Sequence, residues 1–454
     1  MTSPQSPLSP DDILPGSEVK IPTYRIDLGL PPEERYLELA SDFSTKIRAV
    51  VPLFDEVLGC LPIPQKLQKV VKLASRLSLR KVYEKEQTKE IKSIARVAGV
   101  DLYLAIALNV FLDLLLGCTS GAILVRPNDA IGDNDGPSVS DRLMHFRTLE
   151  WGMDSLRSLL VSLEFVNSKT SNPGEVIARS ITYAGFVGVL TGVRPNLSLS
   201  LNHRPYHDCR RTVILKHQLL VVLGVRESIS SVLRHVLFSD ENEDAPPTKE
   251  KETTEQLKTV SRIAATARRL ASRTTSPCYV TLCDGKDVAI VLKDVPNGKV
   301  MTSSHFMIQT NHDAIHGSCC DAKDAARLSE PKCEIFARDE WLVESEQRLQ
   351  ALQFKWNGHV YVSSTENSAG RRLMSQNGTC LDSSGQKSGE KSIDQLLVPG
   401  ITEERLLTWI REGPTTNEMT HFSCIMDPRT GEIRGLVRGP PDGPGTTSSS
   451  DNDN

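Results

Sequence analysis

The hydrophobic period of this chain changes at one point, and that change limits the folds open to it. Up to Leu116 apolar residues recur at helical spacing, as in Leu39, Phe43, Ile47 and Val51 after the helix-starting run Pro31-Pro32-Glu33-Glu34-Arg35. From Cys118 onward the pattern alternates instead: Val161 to Phe165, Val176 to Tyr183 and Leu197 to Leu201 read as strands. Helical spacing returns over Arg211 to Leu237 and over the basic stretch Gln256 to Ser272, and strands resume at Tyr279 to Leu282, Val288 to Leu292 and Phe306 to Thr310. An α-rich N-terminal piece followed by strands, helices and strands again predicts a layered α+β fold. At 454 residues the chain has room for one large or two ordinary domains.

Other segments bound these elements. Residues 1–20 are polar and proline-rich and read as a disordered leader, Ile21 to Leu30 as a strand, and 21–117 as the α-rich piece. Residues 118–438 form the body. Within it, 239–255 is a charged linker, and 356–390, polar and rich in Gly and Ser, reads as a loop or surface insertion. Ile401 to Arg411 predicts a last helix, followed by a hairpin from Ser423 to Val437 that turns at Asp427 to Gly431. The Gly/Pro/Ser/Asp tail, 439–454, predicts disorder.

Composition removes several function classes. The net charge is −4 and no basic stripe is interleaved with aromatics, so nucleic acid is not an expected partner. The Lys66 to Lys72 and Arg76 to Lys85 clusters read as solvated helix faces. Leu102 to Leu112 is apolar but short of the about 20 residues that span a bilayer. The N-terminus carries no secretory pattern, so the chain as written is expected in the cytoplasm; a longer N-terminus would allow a lysosome- or vacuole-like compartment. Ten cysteines include no Cys-x-x-Cys, the set His312, His316 and Cys333 matches no zinc spacing, and Asp133 to Gly136 reads as a turn, so neither metal nor cofactor is expected. Sequons at Asn196 and Asn377 carry meaning only on a secretory route.

The same period change marks the chemistry. Gly117-Cys118-Thr119-Ser120 puts a thiol between an apolar helical run and the strand-like Gly121 to Val125. If the Gly117–Cys118 bond is cut, Cys118 gains an α-amine with a pKa of roughly 8, able to take the proton of its own thiol. A buried cysteine that is only a small hydrophobe is the plain alternative.

Cys118-Thr-Ser, His145-Phe-Arg147-Thr-Leu-Glu150, Tyr183 to Pro195, Ser198 to Asn202 and Gln309-Thr-Asn311-His-Asp313 together resemble the acid ceramidase and N-acylethanolamine-hydrolysing acid amidase family of N-terminal-nucleophile cysteine hydrolases. The resemblance runs from about Ile21 to Val437, with Tyr183 to Pro195 its most specific block. It implies an αββα sandwich with an α-rich N-terminal subunit, both subunits coming from one precursor cut before Cys118. It also assigns roles. Cys118 matches the nucleophile, Arg147 the arginine against its sulfur, Asn311 the oxyanion donor and Arg348 a late arginine, while Glu150 stands where the family has Asp. His203 stands where the family has Glu; an imidazole titrating near 6.5 predicts a pH optimum nearer neutrality.

The implied substrates are N-acyl lipids, ceramide or an acylethanolamine, cleaved to a fatty acid and an amine. Leu102 to Leu116, Tyr183, Gly185, Phe186 and His203 are then expected to bind substrate, with peripheral contact to a membrane. A buried helix is the plain reading of Leu102 to Leu116. Two alternatives stand beside this one: a catalytically degenerate lipid-binding or regulatory relative, and a hydrolase of the same fold acting on other amides.

Overall fold

The structure is a computed structural model that describes residues 20–60, 65–111, 117–126, 141–205, 207, 209–239, 261–313, 338–375 and 399–439. The chain opens with an edge strand, β1 (Thr23–Asp27). Six helices follow: α1 (Leu37–Asp42), α2 (Ser44–Ala49), α3 (Leu53–Cys60), α4 (Gln65–Ser78), α5 (Lys85–Ala98) and α6 (Leu102–Phe111). The helical run expected through Val51 is thus broken at Phe43, which ends α1 and starts α2.

The sheet body begins with β2 (Gly117–Arg126), β3 (Arg142–Glu150), β4 (Leu160–Val166), β5 (Ala178–Tyr183), β6 (Thr191–Arg194) and β7 (Leu197–His203). Next come α7 (Arg211–Val222), α8 (Ile229–Phe238) and α9 (Arg262–Ser272), then β8 (Cys278–Cys283), β9 (Val288–Lys293), β10 (Gly298–Ser303) and β11 (Phe306–Gln309). A long helix, α10 (Arg338–Ser375), precedes β12 (Ile401–Thr402), α11 (Glu403–Arg411), β13 (Thr420–Asp427) and β14 (Glu432–Arg438). Arg211 to Leu237 is two helices rather than one because Gly224 takes φ 63°, a left-handed conformation that ends α7.

Eight strands pair in the order β1-β4-β5-β6-β7-β8-β9-β10, and six make a second sheet in the order β11-β2-β3-β13-β14 with β12 also on β2. β1 joins β4 in parallel and β12 joins β2 in parallel; the other pairings are antiparallel. The sheets pack through β2 and β3 against β7 and β8. Outside the first sheet lie α8, on β6 and β7, and α9, on β9 and β10; outside the second lie α10, on β11 and β2, and α11, on β12 and β13. The fold is therefore the α+β αββα sandwich that the resemblance implies.

One reading needs correction. Residues 356–375, expected as part of a surface insertion, continue α10. The apolar spacing Leu349, Leu352, Trp356 buries one face of that helix: Trp356 is 7% exposed, stacks on Phe306 with centroids 5.2 Å apart, and joins Trp409 and Ile410 in a core under the second sheet. Residues 376–390 of that insertion, Asn377 among them, together with residues 1–19 of the expected leader, 440–454 of the tail, most of the linker, Asp133 to Gly136, His316 and Cys333, lie outside the described residues.

Candidate active site around Cys118

Side-chain alternation on β2 and β3 sorts their residues into two sets. Ile123, Val125, Met144 and Phe146 pack toward α10 and α11. Residues of the other parity face the first sheet: Ser120 Oγ meets Thr281 Oγ1 at 2.9 Å, and the His145 ring lies 2.9 Å from both Ser198 Oγ and Ser200 Oγ. Cys118 and Arg147 share this parity. In the β2–β3 register Arg147 stands opposite Ser120 and Leu149 opposite Cys118, so the arginine is a diagonal neighbour of the cysteine on one face.

That geometry is realised. Arg147 Nη2 lies 2.9 Å from Cys118 Sγ, and the guanidinium also donates to the carbonyls of Leu190 and Leu201, at 2.7 Å each. The thiol is fully buried, and burial pushes it up to about 12; Arg147 and Arg348 pull against this while Glu150 adds to it. In the uncut chain the sulfur is a thiol at neutral pH.

The nitrogen of Cys118 has separate partners. Its backbone N–H donates to Asn311 Oδ1 at 2.8 Å, and Arg348 Nη2 donates to the same oxygen at 3.2 Å. Both neighbours can only donate, which fixes the amide orientation; Asn311 Nδ2 donates to the His203 carbonyl at 2.9 Å. Here Asn311 accepts toward Cys118, whereas the resemblance assigns it an oxyanion donor.

Arg348 enters from α10, on the helix-facing side of β2. It donates from Nε to Thr119 Oγ1 at 3.1 Å and lies 3.8 Å from Glu150, which pairs in register with Gly117. Glu150 is buried, neither carboxylate oxygen has a hydrogen-bond partner among the described residues, and burial raises its pKa against the pull of Arg348.

Cys118, Arg147, Glu150, Asn311 and Arg348 thus form one connected group. Ser345, one helical turn before Arg348, accepts from the Asn311 backbone N–H at 2.8 Å and lies 2.8 Å from His312 Nδ1. Neither Ser345 nor the carbonyls of Leu190 and Leu201 were expected, although Ser345 shares a helix face with Arg348 in Ser345-Glu-Gln-Arg348.

The residues expected to bind substrate fit less directly. Tyr183 and Phe186 are fully buried. Tyr183 Oη bonds His421 Nδ1 at 2.7 Å; because His421 Nε2 faces the Trp151 carbonyl at 3.0 Å, the phenol is the donor. Gly185, at φ 98°, leaves room for Leu108 of α6, which an added Cβ would approach to 3.5 Å. His203 does not titrate near 6.5: burial, with His207 adding to it, lowers it to about 4, so it is neutral through the range in which the sequence suggests a switch.

Glu84, Glu227 and His235 bring ligand atoms within 4.8 Å of one another, but Glu227 already pairs with His235 and with Arg273, each at 2.9 Å, an arrangement complete without an ion. No described helix is long and apolar enough to cross a membrane.

An α+β sandwich with a buried cysteine–arginine pair on two adjacent strands, β2 and β3, is the class that fold and site define. Residues 19–83 match the family described as the beta subunit of N-acylethanolamine-hydrolyzing acid amidase. Acid ceramidase of Pan troglodytes is 32% identical over 197 residues, 40% of this chain and 46% of that protein. Acid ceramidase of Homo sapiens is 31% identical over 197 residues with the same shares, and a probable acid ceramidase of Caenorhabditis elegans 25% over 214 residues, 44% of this chain and 49% of that protein. The matched stretch spans about half the length of these relatives. A solved Caenorhabditis elegans N-acylethanolamine-hydrolyzing acid amidase ortholog is 17% identical, covering 71% of this chain and 100% of that chain at a TM-score of 0.40. Part of this chain is thus similar to acid ceramidases, and residues 19–83 to the beta subunit of N-acylethanolamine-hydrolyzing acid amidase.

Proposed function

We propose that this chain is a cysteine amidohydrolase of N-acyl lipids that becomes active when the Gly117–Cys118 bond is cut. One observation carries the reading: sulfur and nitrogen of the same residue have separate built-in partners, Arg147 at 2.9 Å and Asn311 at 2.8 Å. Before the cut the nitrogen is an amide without basicity, and the buried thiol keeps its proton. After it the nitrogen is an amine of pKa roughly 8 on the nucleophile itself. The thiol proton passes to that amine, sulfur attacks the amide carbonyl, and the ammonium returns the proton to the departing amine. Water then hydrolyses the thioester, releasing the fatty acid and restoring the thiol.

The acyl chain would lie along α6, whose Leu104 and Leu108 are half-buried and which packs against α4 and α7. Those two helices expose Leu73, Leu77, Leu215 and Leu219 at 54–66%, a surface suited to peripheral membrane contact. The ceramide or acylethanolamine identity of the substrate rests on the named relatives.

Intact mass with N-terminal sequencing and assay of fatty acid release tests the proposal. The expected result is a fragment beginning at Cys118 and release from N-acyl amides, with Cys118→Ala remaining one inactive chain. Uncut protein with full activity would overturn it. A properly cut protein that binds N-acyl lipid without releasing fatty acid would favour the degenerate lipid-binding relative.

A further inference from the structure

Asn109 is a polar side chain in an otherwise apolar helical run, Leu-Tyr-Leu-Ala-Ile-Ala-Leu-Asn-Val-Phe, and it is 5% exposed. A buried carboxamide is costly unless its groups are bonded. Each end of this one is. Nδ2 donates to the Ala105 carbonyl of its own helix at 2.9 Å and to the Gly185 carbonyl at 2.8 Å, while Oδ1 accepts from the Val187 N–H at 2.8 Å. The bond to Ala105 fixes the rotamer, and the other two grip the turn between β5 and β6 much as a neighbouring strand would.

The Val187 carbonyl has a second tether to the same segment. It accepts from Arg234 Nη1 at 2.8 Å, and Arg234 is held by a two-pronged pair with the fully buried Glu90 of α5, at 2.6 and 2.8 Å. Both groups of the Val187 peptide backbone therefore lead to residues on the amino side of Cys118. Three residues on, the Leu190 carbonyl accepts from Arg147, the arginine against the Cys118 sulfur. Leu190 is also steadied by the Leu201 N–H at 2.9 Å and Val189 by the Ser230 carbonyl at 3.1 Å, so the turn is held from the body as well.

We propose that Asn109 is a positioning residue: by holding Gly185 and Val187 it sets the Leu190 carbonyl that orients Arg147 on the sulfur of Cys118, so the N-terminal segment is a working part of the site. This deepens the reading of Cys118 as nucleophile and rests on it for the hydrolytic consequence. The contact with Arg147 can be read without any substrate.

The test uses the full chain as purified and compares Asn109→Leu, the milder Asn109→Ser, and Leu39→Ala, which removes a buried apolar group from α1 of the same N-terminal segment. Three quantities are measured: stability to denaturant, the pH dependence of Cys118 alkylation by iodoacetamide followed by peptide mass, and kcat and KM on an N-acyl amide. A guanidinium that loses its alignment stabilises thiolate less, so Asn109→Leu should raise the alkylation midpoint by about one pH unit and lower kcat about tenfold, with KM within about twofold. Asn109→Ser should move both in the same direction by less. Leu39→Ala should lose stability yet keep the wild-type midpoint and kcat. Equal midpoints in all variants, or a shift in Leu39→Ala as large as in the Asn109 variants, would overturn the proposal and leave Asn109 a packing residue. If Cys118→Ala keeps hydrolysing, the nucleophile reading falls, and the alkylation midpoints of the other variants still decide whether Asn109 orients Arg147.

Discussion

The two sides of Cys118 are built differently. On the sulfur side Arg147 comes from the adjacent strand and its guanidinium is spent on two backbone carbonyls, so the group is fixed by the ladder itself. On the nitrogen side Asn311 sits just beyond the end of β11 and Arg348 on α10, and they meet Cys118 only because a loop and a helix dock there. A strand neighbour is set by register alone, whereas a docked loop needs its own anchors. Ser345 and the His203 carbonyl are those anchors. The sulfur side should therefore fail all at once when cut, and the nitrogen side by degrees.

The largest expected effect is on the sulfur side. Arg147→Met removes the cation beside Sγ and strips two buried carbonyls of a donor, and kcat for fatty acid release should fall by roughly three orders of magnitude or more. A fall under tenfold would mean that the pair is structural. If Asn311 Nδ2 turns to the oxyanion as the resemblance implies, Asn311→Ala should cost about two to three orders in kcat, and loss of the Oδ1 contact should slow the appearance of the Cys118 fragment on a gel; unchanged kinetics would remove it from the site.

A third, smaller effect concerns pH. His145, between the sheets on the sulfur side, is lowered to about 3, first by burial and then by Arg147. Its folded-state value lies below that of the unfolded chain, about 6.5, so between those limits the unfolded state binds more protons and folding stability falls as pH falls. The loss reaches at most about 1.4 kcal/mol per pH unit for this one group. Denaturant titrations at pH 6.5 and 5.0 should show His145→Gln with a shallower dependence than wild type; identical slopes would contradict a neutral buried His145.

The smallest effect should come from Glu150→Gln. Burial raises the pKa of this carboxyl against the pull of Arg348, and the amide keeps its shape, so the Cys118 fragment should appear within about threefold of the wild-type rate. A hundredfold delay would show that the charged form acts in the cut.

Much of this arrangement was legible in the sequence, for reasons that differ by residue. The strand start at Cys118 followed from the change of period, and alternation along β2 and β3 accounts for the shared face of Cys118 and Arg147, although β3 itself escaped notice because His145, Arg147 and Glu150 disguise a buried strand. Asn311 and Arg348 were reachable only through the family resemblance, since nothing local says that residues so far along the chain will meet Cys118. The Leu190 and Leu201 carbonyls carry no signature at all, because every residue has one. Trp356 was misplaced for a compositional reason: the Gly- and Ser-rich run of 356–390 outweighs the apolar spacing that carries Trp356 into α10. The lowering of His203 to about 4 was not legible because desolvation is set by the packing around it, which no local pattern reports.

The hydrogen bond between the Cys118 N–H and Asn311 spans 193 positions of the chain. While the protein is being synthesised, Cys118 leaves the ribosome long before Asn311 and Arg348 exist, so the bond before Cys118 is made in the absence of the groups that address it. If the cut depends on them, it cannot occur on a truncated or half-folded chain. Maturation would then act as an inspection step, in which the enzyme arms its nucleophile only after the last-made helices have reached their places.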